Sequence, residues 1–229
     1  MAVDKCGQVI HLPILQMGQA IGKGEYIKMI PLLFNTENVR AILEGRKTVT
    51  RRVVKPQPMA AVNTLYRKDG TNFWRTHGAD CWYEFRAPCV PGDVLWVRET
   101  WSISDGAYLY RAFPGVGMEP DKQDAAMREM GLKWRPSIHM PREAARIFLW
   151  VTDVRAERLQ EIDDTGVVAE GLEIGCYFDE LWDRTIKPAD RTIYGWEANP
   201  WVWVIEFERI SKEEAEKCEK EKGSLLTAR

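Results

Sequence analysis

The chain has 229 residues, 45 % of them hydrophobic, and a formal net charge of −2. This composition predicts a folded globular protein, and it excludes a disordered chain or one whose whole surface attracts nucleic acid. An anionic ligand would therefore need a local basic patch. No apolar run approaches the roughly 18 residues that a membrane span needs, so we expect no membrane partner.

The five cysteines and three histidines show no spacing typical of a metal site. An odd number of cysteines without a C-x-x-C pair or a secretory leader predicts reduced thiols and a cytoplasmic protein. We expect neither a metal nor any other cofactor. The sequence leaves the oligomeric state open.

Residues 1–28 have weak periodicity, whereas Met29-Ile30-Pro31-Leu32 is typical of a protein start. Codons for Lys23-Gly24-Glu25 can be purine-rich, as a bacterial ribosome-binding site is. We therefore expect Met29 to be the native start and residues 1–28 to be an upstream extension. Mass spectrometry of the protein expressed from its own locus tests this, and peptides from residues 1–28 would refute it.

The first predicted elements are a strand at 31–34, a helix at 35–44 and a strand at 48–54. The helix is capped by Asn35 or Thr36 and ended by Gly45. Its buried stripe consists of Val39, Ile42 and Leu43.

Strands are then predicted at 82–85 and 94–101, the second after a turn at residues 91–93, and residues 108–111 pair with the second. Residues 113–135 have the composition of an insertion, with a short helix from Asp121 that Gly131 ends.

The last third of the chain predicts a strand at 147–154, helices at 159–170 and 177–186, and a strand at 201–207. Gly171 ends the first of these helices. Ser211 and Glu214 form a capping box for a charged terminal helix or tail over 211–229.

Together these elements predict an α+β fold. We expect a strongly twisted sheet or small β-barrel of about five or six strands with peripheral helices, in one domain over residues 29–210. The regular alternation of strands and helices that a doubly wound fold needs is missing.

A basic cluster follows the first predicted helix. Its five cations fall within ten residues and are Arg46, Lys47, Arg51, Arg52 and Lys55. One interpretation is compensation of the helix dipole by solvated side chains. Interleaved threonines favour a ligand site instead, because alternation in a strand places Thr48 and Thr50 on the face of Arg52. A hydroxyl beside a guanidinium suits a phosphate or a polarised carbonyl.

A threonine near a lysine is also the combination in which an amine activates a hydroxyl nucleophile. For this role Lys47 must lose its proton near neutral pH. Neighbouring arginines and partial burial both lower the pKa of a lysine. Lys47 and Thr50 are therefore candidate catalytic residues.

Two carboxylates are further candidates. Glu99 ends a strand that is apolar on both faces, so it either pairs with Arg98 or another cation, or points into a site. Glu170 precedes Gly171 and is either an exposed helix end or a site residue.

Residues 134–142, Trp-Arg-Pro-Ser-Ile-His-Met-Pro-Arg, form the third candidate segment. Its prolines make it rigid, and rigid loops that carry histidine and arginine often bind ligands. A lone histidine is more often structural, but Ser137 and Arg142 lie close to His139 in the sequence. All three are candidates for a site.

These motifs occur in a characteristic order: a strand, a helix ending in Gly-Arg-Lys-Thr-x-Thr-x-Arg, a Gly-Asp-Val-Leu-Trp-Val strand and a closing Val-Ile-Glu-Phe strand. The chain resembles the ASCH domain family of the PUA-like superfamily over roughly residues 29–210. It is most similar to the long ASCH proteins of tailed phages and prophages, which share the Trp-Arg-Pro-Ser-Ile-His-Met-Pro-Arg segment. The resemblance implies a phage- or prophage-encoded protein in the cytoplasm of a bacterial host.

The resemblance also implies a small β-barrel with a cleft beside the Gly-Arg-Lys-Thr segment, on a fold that commonly binds RNA. Some small ASCH proteins hydrolyse the acetyl amide of 4-acetylcytidine with a lysine, a threonine and a glutamate, and others are described as ribonucleases. These three residues correspond to Lys47, Thr50 and Glu170. The present chain is about twice as long and adds residues 113–135 and the His139 loop.

Three functions follow as hypotheses. The first is binding of RNA or a modified nucleotide, with hydrolysis of an acylated nucleoside as an attached activity. The second is a metal-independent ribonuclease in which His139 acts as general acid or base. The third is a non-catalytic binding module associated with phage morphogenesis. The expected ligand contacts are Arg46, Thr48, Arg51, Arg52, Arg98, Ser137 and Arg142.

Overall fold

A computed structural model of the protein describes residues 27–58, 66–67, 73–77, 82–112 and 120–226. The predictions for residues 1–26 and for the first part of the insertion, 113–119, lie outside this part of the chain. Within it, the strands are β1 (Met29–Leu33), β2 (Val49–Val53), β3 (Tyr66–Arg67), β4 (Phe73–His77), β5 (Trp82–Arg86), β6 (Val94–Arg98), β7 (Trp101–Ser104), β8 (Ala107–Tyr110), β9 (Phe148–Arg158) and β10 (Trp201–Ile210). The α-helices are α1 (Thr36–Leu43), α2 (Pro120–Glu129), α3 (Asp164–Ala169), α4 (Phe178–Thr185), α5 (Arg191–Tyr194) and α6 (Lys212–Leu226).

The main sheet has five strands in the order β1-β6-β9-β10-β2. β1 runs parallel to β6, and the other neighbours are antiparallel. β1 and β2 are the two edges, and in the described residues they are not paired with each other. The predicted α+β class is therefore confirmed, but the described strands do not close into the predicted barrel.

Both faces of the main sheet are covered. One face packs on α1, where Val39 and Ile42 meet the core side chains of β6, β9 and β10. On the other face, α6 covers β6 and β9 with Ala215 and Cys218, and α4 covers β2 and β10 with Trp182. Strands covered on two faces bury consecutive residues, which explains the unbroken apolar runs of β6 and β10.

The local geometry of α1 places the basic cluster at the start of β2. The Asn35 side chain accepts the Asn38 N–H at 2.8 Å and caps the helix. Gly45 ends it with φ of +75°. The N–H groups of Arg46 and Lys47 then both donate to Ala41 O, at 2.9 and 3.1 Å, which turns the chain into β2. This part of the sequence prediction is confirmed.

Two predicted elements are each divided in the structure. The strand predicted at 94–101 is divided after Arg98, because β7 leaves the main sheet and pairs with β8 in a separate hairpin. The helix predicted at 159–170 is also divided, because β9 continues to Arg158 and α3 begins only at Asp164. The Asp163 side chain accepts the Gly166 N–H at 2.7 Å, so it provides the cap that starts the shorter helix.

Later elements agree more closely with the sequence. Gly131 follows α2 with φ of +67°. The capping box of α6 is complete, because Glu214 accepts the Ser211 N–H at 2.8 Å and Ser211 Oγ accepts the Glu214 N–H at 3.1 Å. Of the small sheet β3-β4-β5, the sequence predicted only the last strand.

No described helix combines the length and the apolar character needed to cross a lipid bilayer. The described histidines, cysteines and carboxylates form no group of three or more that is placed to hold a metal ion.

Candidate functional site

A buried ion pair joins the start of β2 to the end of α3. Lys47 and Glu170 face each other in an isolated antiparallel bridge, and Thr48 N–H donates to Ala169 O at 2.9 Å. The Lys47 amine contacts the Glu170 carboxylate and also donates to the Glu170 carbonyl at 3.0 Å. Lys47 is 3 % exposed and Glu170 8 %. The structure thus brings together two of the predicted catalytic residues.

Arg51 is the third member of this group, which we name the Glu170 cluster: Lys47, Arg51 and Glu170. Its Nη1 lies 3.3 Å from Glu170 Oε1 and its Nη2 lies 3.7 Å from Glu157 Oε2. One carboxylate, Glu170, therefore faces two buried cations. Glu157 was not among the predicted site residues. The alternation of Asp153, Arg155 and Glu157 with apolar residues was the signal that β9 extends this far.

Regular strand alternation begins only after Thr48. In a regular antiparallel strand, the N–H and C=O of one residue point to the same neighbour. Thr48 instead donates to Ala169 O and accepts from Phe207 N–H, at 2.9 Å in each case. The regular pairing of β2 therefore begins at Val49, and Thr48, which is exposed, does not share the buried position of Thr50.

Within β2 the predicted alternation is confirmed. Val49 packs with Val202 and Val204 on the α4 side, the side of Arg51. Thr50 and Arg52 are opposite Ile205 and Trp203, which belong to the α1 side. Thr50 is 4 % exposed.

Arg52 extends from the edge strand β2 to the other edge strand, β1. Its Nη2 donates to Leu33 O at 2.7 Å, and its guanidinium lies 5.1 Å from the centre of the Phe34 ring. Glu170 still influences it electrostatically. Cations from both faces of β2 thus act on Glu170.

Burial dominates the electrostatics of this site. It lowers the pKa of Lys47, and the Glu170 charge and hydrogen bond only partly oppose this, while the charges of Arg52 and Arg51 lower it further. Burial also lowers the pKa of Arg52. The site therefore holds more positive charge than its carboxylates neutralise, and Lys47 is the group that can lose a proton.

Two glycines allow the chain to approach the cluster closely. A Cβ at Gly171, whose φ is +84°, would lie 2.8 Å from the Ala41 Cβ and 2.9 Å from the Lys47 Cβ. A Cβ at Gly166 would lie 2.9 Å from Arg51 Nη2. The sequence predicted Gly171 only as a helix end. A glycine that ends a helix gives no signal that its Cα also contacts a site residue.

A cavity of about 330 Å³ lies beside Arg51 on the α4 side of the sheet. The residues that line it are Val49, Arg51, Arg155, Glu157, Glu161, Asp163, Thr165, Gly166, Ala169 and Glu206. Arg155 is already paired with Asp153, Glu157 and Glu206. Carboxylates outnumber guanidiniums on these walls, so the cavity does not offer the basic surface that the sequence predicted.

Glu99 belongs to a different buried pair. Its carboxylate accepts two hydrogen bonds from Arg146, at 2.8 and 2.9 Å. Arg146 also donates to Ala112 O at 2.7 Å and lies 4.1 Å from the centre of the Tyr110 ring. Of the two interpretations given by the sequence, pairing is correct, and the partner is Arg146 rather than Arg98. Nothing in the sequence marked Arg146 as that partner.

The predicted residues of the 134–142 segment lie outside the Glu170 cluster. Ser137 and His139 form a 3-10 turn, and His139 is exposed. Arg142 pairs with Glu219 of α6. Arg98 donates to Ile138 O. Their roles in a site remain predictions.

Arg46 is also exposed. It pairs with Glu44 and donates to Gly171 O, so it fastens the loop that follows α3.

No model of a known protein family matches the chain, and no curated protein matches it. A solved structure from Enterococcus faecalis V583, of the family DUF984, is similar over 86 % of this chain and 90 % of its own, with 8 % identity and a TM-score of 0.39. A likeness this weak carries no argument about fold or function.

Proposed function

We propose that the chain binds an acylated nucleoside or nucleotide, free or within RNA, at the Glu170 cluster and hydrolyses its acyl amide. The observation that supports this is the burial of Lys47 against Glu170. Burial lowers the pKa of Lys47, and a lysine with a lowered pKa gives up its proton more readily and is a better general base than an exposed lysine.

The resemblance to ASCH domains, with their PUA-like barrel, supports the same assignment. The family's lysine, threonine and glutamate correspond to Lys47, Thr50 and Glu170. In this chain Lys47 and Glu170, which are 123 positions apart in sequence, form a direct contact. This proposal includes both the PUA-like barrel and the hydrolysis of an acyl amide that the resemblance implies.

In the proposed reaction, Thr50 Oγ attacks the amide carbonyl and the Lys47 amine takes the hydroxyl proton. The tetrahedral intermediate carries a negative charge on the former carbonyl oxygen, which Arg52 stabilises. As the C–N bond breaks, Lys47 returns the proton to the leaving nitrogen, and the acyl group remains as an ester on Thr50. Water, activated by the same amine, hydrolyses the ester and releases the carboxylic acid. Glu170 orients the lysine throughout.

The ribonuclease hypothesis has less support. It needs His139 at the site, whereas the described contacts of that residue are those of an exposed turn. We therefore keep hydrolysis of an acyl amide as the favoured activity.

The direct test is incubation of the protein with 4-acetylcytidine, followed by chromatography of the products. We expect the wild type to release cytidine and Lys47→Ala to release it at least about a hundredfold more slowly, because general base catalysis contributes about that much. Lys47→Arg should be as slow, since a guanidinium keeps its proton. Arg184→Gln, with a side chain that is 71 % exposed on α4, is the matched control and should keep full activity.

Circular dichroism of each variant shows whether it has folded. Equal release by folded Lys47→Ala, or no release by the wild type, would contradict the proposed hydrolysis. Tight binding of 4-acetylcytidine without release of cytidine would support a non-catalytic binding module instead.

A further inference from the structure

Arg51 lies between two carboxylates on the α4 side of β2. Its Nη1 donates to Glu170 Oε1 at 3.3 Å, and its Nη2 lies 3.7 Å from Glu157 Oε2. The Arg51 side chain is only 4 % exposed. The two Nη groups of one guanidinium point to different acceptors, which suits this arrangement. Arg51 therefore links the end of α3 to β9.

Glu157 is itself held from its other side. Its Oε1 accepts a hydrogen bond from Arg155 Nε. The Nη1 of Arg155 pairs in turn with Asp153 and Glu206. Each oxygen of Glu157 thus faces a different arginine. Glu157 is anchored to β9 and β10, so it gives Arg51 a fixed partner.

Gly166 provides the space that Arg51 needs. A Cβ at this position would lie 2.9 Å from Arg51 Nη2 and 2.9 Å from Ile162 Cγ1. Gly166 lies inside α3, where the backbone is helical and needs no glycine. The requirement for a glycine here therefore comes from the side chains that pack against it.

The two oxygens of Glu170 are divided between two cations. Oε2 contacts the Lys47 amine, and Oε1 accepts from Arg51. Burial has the largest effect on Lys47 and lowers its pKa, the Glu170 charge raises this pKa, and the charges of Arg52 and Arg51 lower it. If Glu170 faced Lys47 alone, its charge would favour an ammonium group, which cannot accept a proton.

Charged groups from every neighbouring element face Arg51 or Lys47. They are Arg52 of β2, Arg155 and Glu157 of β9, Glu206 of β10, Glu161 and Asp163 before α3, and Glu170 at its end. Of the two arginines that act on Lys47, Arg52 lies on the Thr50 face and serves the proposed reaction as oxyanion donor. Arg51 lies on the opposite face, so it acts through Glu170.

We propose that Arg51, fixed by Glu157, is a positioning residue that holds Glu170 between two cations and so keeps Lys47 able to accept a proton. The proposal rests on the function proposed above and adds to it a residue that does not touch the substrate. Side chains that fix a catalytic group from behind are a general requirement of an ordered site. Because an arginine keeps its proton, this support does not change with pH.

Nuclear magnetic resonance of protein labelled with ¹³C at the lysine Cε atoms measures the pKa of Lys47, whose signal is identified by its loss in Lys47→Met. We expect this pKa to be higher in Arg51→Gln than in the wild type, because Glu170 then faces one cation instead of two. Arg51→Lys restores the charge and should bring the pKa back toward the wild-type value. Arg184→Gln, whose native side chain is 71 % exposed, should leave it unchanged.

The rate of cytidine release from 4-acetylcytidine as a function of pH supplies a second measurement. Below the Lys47 pKa of both proteins, we expect the kcat of Arg51→Gln to be at least about tenfold lower than that of the wild type, the effect of a nearby charge on a titrating group. Above both pKa values the difference should vanish, and KM should not change at any pH. A residue with a purely structural role would lower kcat by the same factor throughout.

Arg51→Met, which keeps the aliphatic stem of the side chain, replaces Arg51→Gln if that variant fails to fold. The proposal is overturned if Lys47 has the same or a lower pKa in the folded variant than in the wild type, or if kcat falls equally at all pH values. A higher Lys47 pKa, with no release of cytidine by the wild type, would refute the hydrolase and leave the role of Arg51. Release of cytidine with an unchanged Lys47 pKa would refute only the role of Arg51.

Discussion

Glu99 and Glu170 are both buried with arginine partners, and they differ in how completely their charges are balanced. Glu99 accepts two hydrogen bonds from one guanidinium, which also donates a third to Ala112 O. Glu170 meets a lysine and an arginine, with a second arginine nearby, and buried Nε atoms of both arginines are left without partners. The first pair is complete in itself. The cations around Glu170 leave positive charge that a further negative group would balance.

This difference separates a structural ion pair from a candidate site. Burial and pairing alone do not, because both carboxylates have them. The type of cation also differs: Arg146 cannot neutralise itself when its partner is lost, whereas Lys47 can release its proton.

The largest expected effect is therefore the loss of Glu99. Glu99→Ala leaves Arg146 charged and without a carboxylate partner, and we expect it to lower the free energy of unfolding by about 3–5 kcal/mol. Glu170→Ala should cost about half as much, because Lys47 can become neutral and Arg51 keeps Glu157. Urea denaturation of both variants measures the difference. An equal or larger loss for Glu170→Ala would show that the two pairs do not differ as we describe.

The close approach of Gly171 to Lys47 gives the next largest effect. Gly171→Ala places a Cβ against Ala41 and Lys47 in a left-handed backbone, so we expect a loss of about 2–4 kcal/mol. Gly175 is the matched control, because its φ of +82° is similar but its Cβ would meet nothing within 4 Å. Gly175→Ala should cost only about 1 kcal/mol of backbone strain. Equal thermal denaturation midpoints for the two variants would contradict the contact.

The smallest effect is a pH dependence that belongs to Lys47. Its pKa is lowered in the folded chain, so between that value and the unfolded value of 10.5 the unfolded chain holds one more proton. The stability of the wild type should therefore rise with pH in this window relative to Lys47→Met, by at most about 1.4 kcal/mol per pH unit. Below the lowered pKa, the difference between the two proteins should not change. Unfolding free energies between pH 6 and 10 measure it, and a difference that falls with rising pH would refute the lowered pKa.

Local signals in the sequence predicted most helices and strands well. The cap at Asn35, the left-handed Gly45 and the box of Ser211 and Glu214 act over three or four residues, so a sequence pattern can show them. The division of the strand after Arg98 depends on pairing with β8. The β3-β4-β5 sheet likewise depends on contacts between strands, which periodicity does not reveal.

The site was predictable to the same limited degree. The spacing of Lys47, Thr48 and Thr50 marked the segment, and the place of Glu170 before Gly171 made it a candidate. Arg146 could not be identified as the partner of Glu99, because a contact across 47 residues leaves no local pattern. Glu157 could have been placed in β9 from the sequence, because the alternation of polar and apolar residues continues past Val154.

The reach of Arg52 to Leu33 has a consequence for the solution behaviour of the protein. An open sheet presents unpaired edge strands, which are templates for strand addition and aggregation, and charged side chains at an edge act as gatekeepers. Arg52 projects from the edge strand β2 and donates a hydrogen bond to Leu33 O in the other edge strand, β1. We therefore expect substitution of Arg52 to increase self-association of the protein. Light scattering of such variants should precede any measurement of their ligand affinity.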